Sequence, residues 1–406
     1  MSATPRTSMR ALAQPHGPQL SGSNLKRAGD HNQRVTLHAI RVNGPVTRAA
    51  LAKHTGLTSA AIANITGRLL RDRLIESAGR MIGKRGQPAT RLVVNPDSCF
   101  SIGLNVDRDH ITLVLLDFAG CVRARAEREI QFAKPATVRR FFSGAVNRVL
   151  KQAGISRNRI IGVGVAFPDD IARARLPDQP NEYAAWADIK IDALLHDVLD
   201  VPVFVENDAA AAAIGEMQFG SGHRHRSFFY LLITAALGGG LVLDGSYFRG
   251  ADGRSGEIGW LLARAASGEE LQLQNIASLS ALYSRLADGG FHVDSPRRLA
   301  RLNGTARGIV DGWIRDSAEA LVDSLLAINC LINPEVILIG GRLPALLVDR
   351  LAAALNNRIA DFAAQLPAVA PVARAVTAAD APAVGAAILP FSHTLLPTRV
   401  ALLKRD

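Results

Sequence analysis

All of the chain's excess positive charge lies in its first ninety-five residues, and this splits it into two parts built for different partners. Residues 1–95 carry 15 Lys and Arg against three acids, Asp30, Asp72 and Glu76. That balance of +12 exceeds the +11 of the whole chain, so the remainder carries one net negative charge. An asymmetry this sharp points one end at a polyanion and gives the other a different task. Neutralised phosphates supply most nucleic-acid affinity, which makes DNA or RNA the first candidate. Residues 31–75 are patterned rather than low in complexity, so the basic end is a folded unit and not a solvated tail.

A length of 406 residues allows two or three domains with real cores. The three cysteines, Cys99, Cys121 and Cys330, lack paired spacing. That fits a reduced compartment and offers neither a disulfide framework nor a cysteine zinc site. The N-terminus has no compact apolar stretch of the secretory kind. The uncharged run Ser227–Leu243 is broken by three glycines and falls short of the ~20 apolar residues a membrane helix needs. The expected location is cytoplasmic.

Residues 1–25 are rich in Ser, Pro, Gly and Gln and are expected to be a disordered tail. Residues 26–95 read as a winged helix-turn-helix. Val35, Leu37, Ile40 and Val42 form the apolar side of a first helix, which Asn43-Gly44-Pro45 stops. Thr47 caps a short second helix with Ala50 and Leu51 facing inward. After the turn His54-Thr55-Gly56-Leu57, Thr58 caps a third helix in which Ile62, Ile65 and Leu69 recur at helical spacing. Two short helices joined by a Gly-containing turn form a helix-turn-helix.

A helix that enters the major groove needs small or hydrogen-bonding residues on its outward face. Here that face offers Ser59, Ala60, Ala63, Asn64 and Arg68, with Thr47, Arg48 and Thr58 at the helix starts. Arg71 and Arg73 follow where a backbone phosphate would lie. Leu74-Ile75 and Arg91–Val94 read as strands around a wing loop, Ser77–Pro88. Its Arg85-Gly86-Gln87-Pro88 is one residue away from the Arg-Gly-Arg-Pro core that lies in A·T-rich minor grooves, where concentrated negative potential attracts an inserted Arg. Lys84, Arg85 and Gln87 are assigned to that contact.

Residues 96–406 alternate short apolar runs with helical stretches, the mark of an α/β architecture. Ser101–Val106 with Ile111–Phe118 reads as a hairpin, and so does Tyr230–Ile233 with Gly240–Leu243. Helices are expected near 136–153, 192–199, 269–287 and 305–330, and further strands at Ile160–Phe167, Val201–Val205 and Glu335–Ile339. Hairpins that precede helices in two places suggest duplicated halves. Gly-rich turns directly after strands expose backbone N–H groups that can hold phosphates or polyols.

Four segments stand in order through this body: Gly162-Val163-Gly164-Val165-Ala166-Phe167-Pro168, then Glu206-Asn207-Asp208-Ala209, then Arg249 to Gly259 with its Gly-Glu-Ile-Gly core, then Asn333-Pro334-Glu335 running to Gly340-Gly341. With Gly44–Thr58 before them, they resemble the ROK family (repressors, open reading frames and sugar kinases), and the first of the five resembles the DNA-binding part of its NagC/XylR-like regulators. The resemblance covers about residues 32–390. It implies an actin-like (ribonuclease H-like), two-lobed body with sugar in the cleft. By position Asp208 is the family's catalytic base, and Asn207 and Glu257 match its other sugar contacts. Trp260 stands where the family has a His that serves sugar and zinc, and Gln274 where it has a sugar-binding Glu.

The match fails at the nucleotide. The family's first phosphate loop, Asp-x-Gly-Gly-Thr, reads Asn105-Val106-Asp107-Arg108-Asp109 here, and the second has lost its leading Gly-Thr-Gly at Thr234-Ala235-Ala236. Without those glycines the backbone cannot approach a phosphate closely. The cysteine cluster of the family's zinc site is absent after Trp260. The expectation is therefore a DNA-binding regulator, a repressor with no enzymatic activity, that needs neither ATP nor zinc. It would sense a sugar-like effector through Asn207, Asp208, Glu257, Trp260 and Gln274, bind an operator as a homodimer or tetramer, and avoid membranes. Two other readings stay open: a sugar kinase with an appended DNA-binding domain, and a regulator whose body only dimerises.

Overall fold

The computed structural model describes residues 25–81, 89–169, 171, 180–293, 295–366, 368–377 and 380–397. The chain forms two compact units, one reaching to Val93 and taking in the segment from Leu395, the other spanning Val94–Thr394. The first border falls within two residues of the one expected. The C-terminal segment differs: it joins the first unit, where Leu396 is buried and its carbonyl accepts from Arg34 Nη1 at 3.3 Å.

The first unit contains α1 (Leu25–Asn43), β1 (Val46–Thr47), α2 (Arg48–Thr55), α3 (Ser59–Arg71), β2 (Ile75–Met81) and β3 (Ala89–Val94). The three strands form one sheet in the order β1-β3-β2, which gives the unit the layout of a winged helix. Leu37, Ile40, Leu51, Ile62, Leu69 and Leu92 are its buried core. Both expected caps form: Thr47 Oγ1 accepts from Ala50 N at 3.3 Å and Thr58 Oγ1 from Ala61 N at 3.2 Å. Three details differ. Val42 is 42% exposed, and the first helix buries Thr36 instead, whose hydroxyl donates to Asn32 O inside the helix. Residues 77–81, read as loop, continue strand β2, and β1 was not foreseen. Lys84, Arg85 and Gln87 lie outside the described residues.

The second unit opens with β4 (Phe100–Val106), β5 (His110–Asp117), β6 (Val122–Glu129), α4 (Pro135–Ala153), β7 (Ile160–Ala166), α5 (Ile191–His196), β8 (Val203–Glu206) and α6 (Asp208–Phe219). It continues with β9 (Phe228–Ile233), β10 (Leu237–Leu243), β11 (Ser246–Tyr247), β12 (Leu262–Arg264), β13 (Glu270–Gln272), α7 (Gln274–Ala277), α8 (Leu279–Asp288), α9 (Pro296–Leu299) and α10 (Gly304–Ile332). Last come β14 (Val336–Gly341), α11 (Ala345–Ala360), β15 (Val372–Arg374) and α12 (Ala381–Thr394).

Two five-stranded sheets result, β6-β5-β4-β7-β8 and β11-β10-β9-β14-β15. In each, an antiparallel meander is followed by two parallel strands, so the duplication read from the sequence is a repeat of topology. The helices that follow the two sheets are exchanged: α12 packs on β4 and β7, while α6 packs on β9 and β10. Small residues make this possible. Ala209–Ala213 of α6 are buried, and α12 comes so near β7 that a Cβ on Gly164 would lie 1.7 Å from Ala386 O.

One expectation for this unit fails and one element goes unread. The helix expected over 269–287 is three elements, because Glu270–Gln272 pairs as a strand with Leu262–Arg264 before α7 and α8 begin. Tertiary pairing overrides the helix propensity of Glu-Glu-Leu-Gln-Leu. Strand β6 was not foreseen because its inward positions are only Ala124 and Ala126, too weakly apolar to announce an alternation.

Candidate functional site

The ends of the parallel strands open onto one cleft between the two sheets, the usual place for a ligand in α/β folds. Among its lining residues are Asp107 and Arg108 after β4, Asp169 after β7, Asn207 and Asp208 after β8, Gly238 and Gly239 of β10, and Glu257, Trp260 and Gln274 beyond. All five residues expected to meet an effector, Asn207, Asp208, Glu257, Trp260 and Gln274, therefore line the same cleft, although they span 68 residues of sequence. About 60 Å³ of it is free for water, room for a few molecules as the side chains stand.

Asn207 holds the start of α6. Its Oδ1 accepts from Ala209 N at 2.9 Å and Ala210 N at 3.1 Å, while its Nδ2 donates to Asp169 Oδ2 at 3.3 Å. Asp208 Oδ1 also accepts from Ala209 N, at 2.8 Å. Burial pushes the Asp208 carboxyl up to about 7, and the nearby Asp107 adds to that, against the opposing pull of the Ala209 N–H and Arg108. Glu206, one turn away, is also raised by burial, even though it is paired with Arg249.

Glu257 reaches the cleft because its loop lies backbone to backbone on β10. Gly256 has φ +87°, and a Cβ there would sit 2.5 Å from Gly239 O. Only glycine allows that approach. Trp260 is 49% exposed, so it does not fill a core void. Gln274 Nε2 donates to Gln272 Oε1 at 2.8 Å. From Trp260 to Gln274 the chain has neither Cys nor His, and β12–β13 forms a hairpin within that stretch.

On the far side of the cleft the turn 107–109 is strongly acidic and already has a cation. Asp107, Asp109 and His110 each place one possible ligand atom within 4.8 Å of the others. His110 Nδ1 lies 2.8 Å from Asp109 Oδ1, and its Nε2 lies 3.0 Å from Asn105 Nδ2, a pattern satisfied when Nδ1–H donates and Nε2 accepts. Arg342 Nη1 donates to Asp109 Oδ2 at 3.2 Å, and its Nη2 pairs with Glu129. Burial pushes Asp109 up, but the His110 hydrogen bond and the charge of Arg342 win and hold it below the usual range. Sequence reading registered the acids and missed Arg342, whose only signal is its place directly after Gly340-Gly341. It also gave no role to Arg108, whose Nε is buried without a hydrogen-bond partner.

In the first unit the outward face of α3 is exposed at Ser59, Ala60, Ala63, Asn64 and Arg68. Arg68 Nη1 donates to Gln33 Oε1 at 3.1 Å and stays at the surface. Arg48 is committed inward, its Nε donating to Thr66 Oγ1 at 2.8 Å, while the Thr47 and Thr58 hydroxyls are engaged as caps.

The sequence profile described as ROK family matches residues 101–392. An uncharacterised protein, y4fQ of Sinorhizobium fredii, is 28% identical over 375 residues, covering 91% of this chain and 93% of that protein. The xylose repressor of Caldicellulosiruptor bescii is 26% identical over 356 residues, 82% of this chain and 89% of its own length. In fold, the chain is similar to a crystal structure of a ROK family transcriptional regulator, a homolog of the E. coli MLC protein. The TM-score is 0.64 at 21% identity, covering 92% of this chain and 99% of that one. Among the described residues no helix is long and apolar enough to cross a membrane.

Proposed function

This chain belongs to the ROK family, and within it we propose a DNA-binding transcriptional regulator, a repressor of carbohydrate-related genes, whose body takes up a sugar-like effector. The observation that carries this is the exposed face of α3. Ser59, Ala60, Ala63, Asn64 and Arg68 stand outward on a capped helix, in a segment with a charge balance of +12. Asn64 and Arg68 suit base edges, while Arg71 and the wing residues Lys84, Arg85 and Gln87 suit the backbone and the minor groove. Relatives named xylose repressor support the same reading.

In the body, Asp208 and Glu257 would accept from ring hydroxyls, Asn207 would orient them, and Trp260 would stack on an apolar ring face. The effector acts only through its different affinity for open and closed clefts, and a homodimer or tetramer passes that preference to operator half-sites about one helical turn, or a multiple, apart. The protein would work in the cytoplasm, at the nucleoid. Phosphoryl transfer rests on positioning and charge neutralisation. With Asp107, Arg108 and Asp109 in place of a glycine loop, the body would have none, and neither ATP nor zinc is required.

The test is binding of genomic fragments by the full chain over a range of salt. Affinity should fall steeply with salt, with the slope reduced by about one for each of Lys84→Ala and Arg85→Ala. Asn64→Ala should change which fragments are selected, and Asp208→Ala should leave DNA binding intact while abolishing release by sugar. Salt-insensitive binding would overturn the regulator reading. Sugar-dependent ATP consumption would favour a kinase with an appended DNA-binding unit.

A further inference from the structure

We propose that Arg342 is a positioning residue for the cleft: an internal cation that ties the turn 107–109 of the first half of the body to the second half. In its effector-binding consequence, the proposal rests on the reading above.

Strand β6 faces the second half of the body. Its inward positions are Ala124 and Ala126, so Arg125, Glu127 and Glu129 share the outward face. Each reaches the second half. Arg125 Nε donates to both Asp380 oxygens at 3.0 Å, Glu127 pairs with Arg297 of α9, and Glu129 pairs with Arg342 after β14. These bridges differ in worth. The Arg297 side chain is 79% exposed, where screening leaves an ion pair little strength. That of Arg342 is 10% exposed, so removing its partners leaves a desolvated charge uncompensated.

Arg342 is also the bridge with a path to the cleft. Its backbone N–H donates to Ile233 O at 2.9 Å, which fixes its base beside β9. Its guanidinium holds Asp109, and Asp109 accepts from His110 Nδ1. Asp109 O accepts from Ile130 N at 2.9 Å, and Asp107 N donates to His110 O at 3.0 Å, so the turn is anchored at both ends. The turn in turn presents Asp107 and Arg108 to the cleft, with the Arg108 N–H donating to Asp107 Oδ1 at 2.6 Å. Arg342 touches none of the cleft lining named for a sugar, yet it sets the posture of the residues opposite Asp208. The stretch that would need glycines to hold phosphate is instead held by a salt bridge.

The experiment is hydrogen–deuterium exchange on the full-length chain, comparing parent, Arg342→Ala, Arg342→Lys and Glu129→Gln, with D-xylose and D-glucose titrated calorimetrically into each. In Arg342→Ala, exchange at residues 107–110 and Ile130 should rise by about tenfold or more, while α3 is unchanged. Arg342→Lys should restore part of the protection, and Glu129→Gln should give a smaller rise at the same amides. If Arg342→Ala does not fold, the same pattern in Glu129→Gln and Arg342→Lys decides the matter. Unchanged exchange at 107–110, or a rise spread evenly over the whole body, overturns the proposal. If exchange rises as expected while neither sugar binds the parent, the tie stands and it is the effector reading that fails for those sugars. If a sugar binds parent and Arg342→Ala equally, Arg342 has no positioning role toward the cleft.

Discussion

The two faces of the cleft make an instructive pair. On one, Asn207, Asp208 and Glu257 sit on a helix cap and on a loop seated on β10, and the glycines that allow this geometry are present. On the other, the turn 107–109 lacks those glycines and has two acids, one of which, Asp109, is paired with a guanidinium from the opposite half. Hydroxyl recognition asks for a few acceptors held at fixed positions, which a cap and a turn supply. Phosphate recognition asks for bare backbone N–H groups and net positive charge, and neither survives here. Under the proposed function, this difference would let a sugar-facing site persist beside a disused nucleotide site in one fold.

The sharpest way to break this comparison is at Gly256, which holds up the first face. Gly256→Ala brings a Cβ to 2.5 Å from Gly239 O at a φ of +87°. The expected cost is about 3 kcal/mol, read as a lowered midpoint in urea. A near-neutral result would show that the loop carrying Glu257 is not fixed by that backbone approach, and the first face would lose its claim to be preformed.

Next in size is the titration of Asp208. Its folded value of about 7 lies above that of an unfolded aspartate, so the native state binds the proton more tightly. Stability from this group is complete below about pH 4 and is lost as the pH rises through 7. Asp208→Asn, which never ionises, should match the parent near pH 4 and exceed it at pH 8. Three pKa units set a ceiling of ~4 kcal/mol, and partial solvent access should reduce it to roughly 2. Melting temperatures of the two proteins from pH 4 to pH 8 provide the check. A constant gap would mean that the carboxyl is well solvated and that Asp107 across the cleft does not reach it.

How much of this was legible beforehand follows the physics of each signal. The caps at Thr47 and Thr58, the outward face of α3 and the repeated hairpins were readable because they depend on neighbours in sequence. That the five residues expected to meet an effector share one cleft was readable as well, through motifs whose order matches the family. Strand β6 was hidden by its alanines, and the hairpin β12–β13 by residues that favour helix until a partner strand arrives. Arg342 was hidden for a different reason: Asp109 and Glu129 are more than 200 positions away, and only the fold brings them together. Local chemistry is written in local sequence, whereas a counter-charge across a cleft is not.

The smallest of the expected effects separates structure from recognition on the sugar face itself. The Asn207 side chain spends its oxygen on the N–H groups of Ala209 and Ala210 and directs only its amide hydrogens toward Asp169 and the cleft. Asn207→Ala should therefore cost about 1 kcal/mol of stability through the lost cap, and Asn207→Ser should recover most of it because a hydroxyl can cap as well. Sugar-dependent release from DNA should not recover in Asn207→Ser, since serine cannot place an amide N–H near Asp169. If serine restores both stability and release, Asn207 acts on the effector only by ordering α6, and recognition at this face narrows to Asp208 and Glu257.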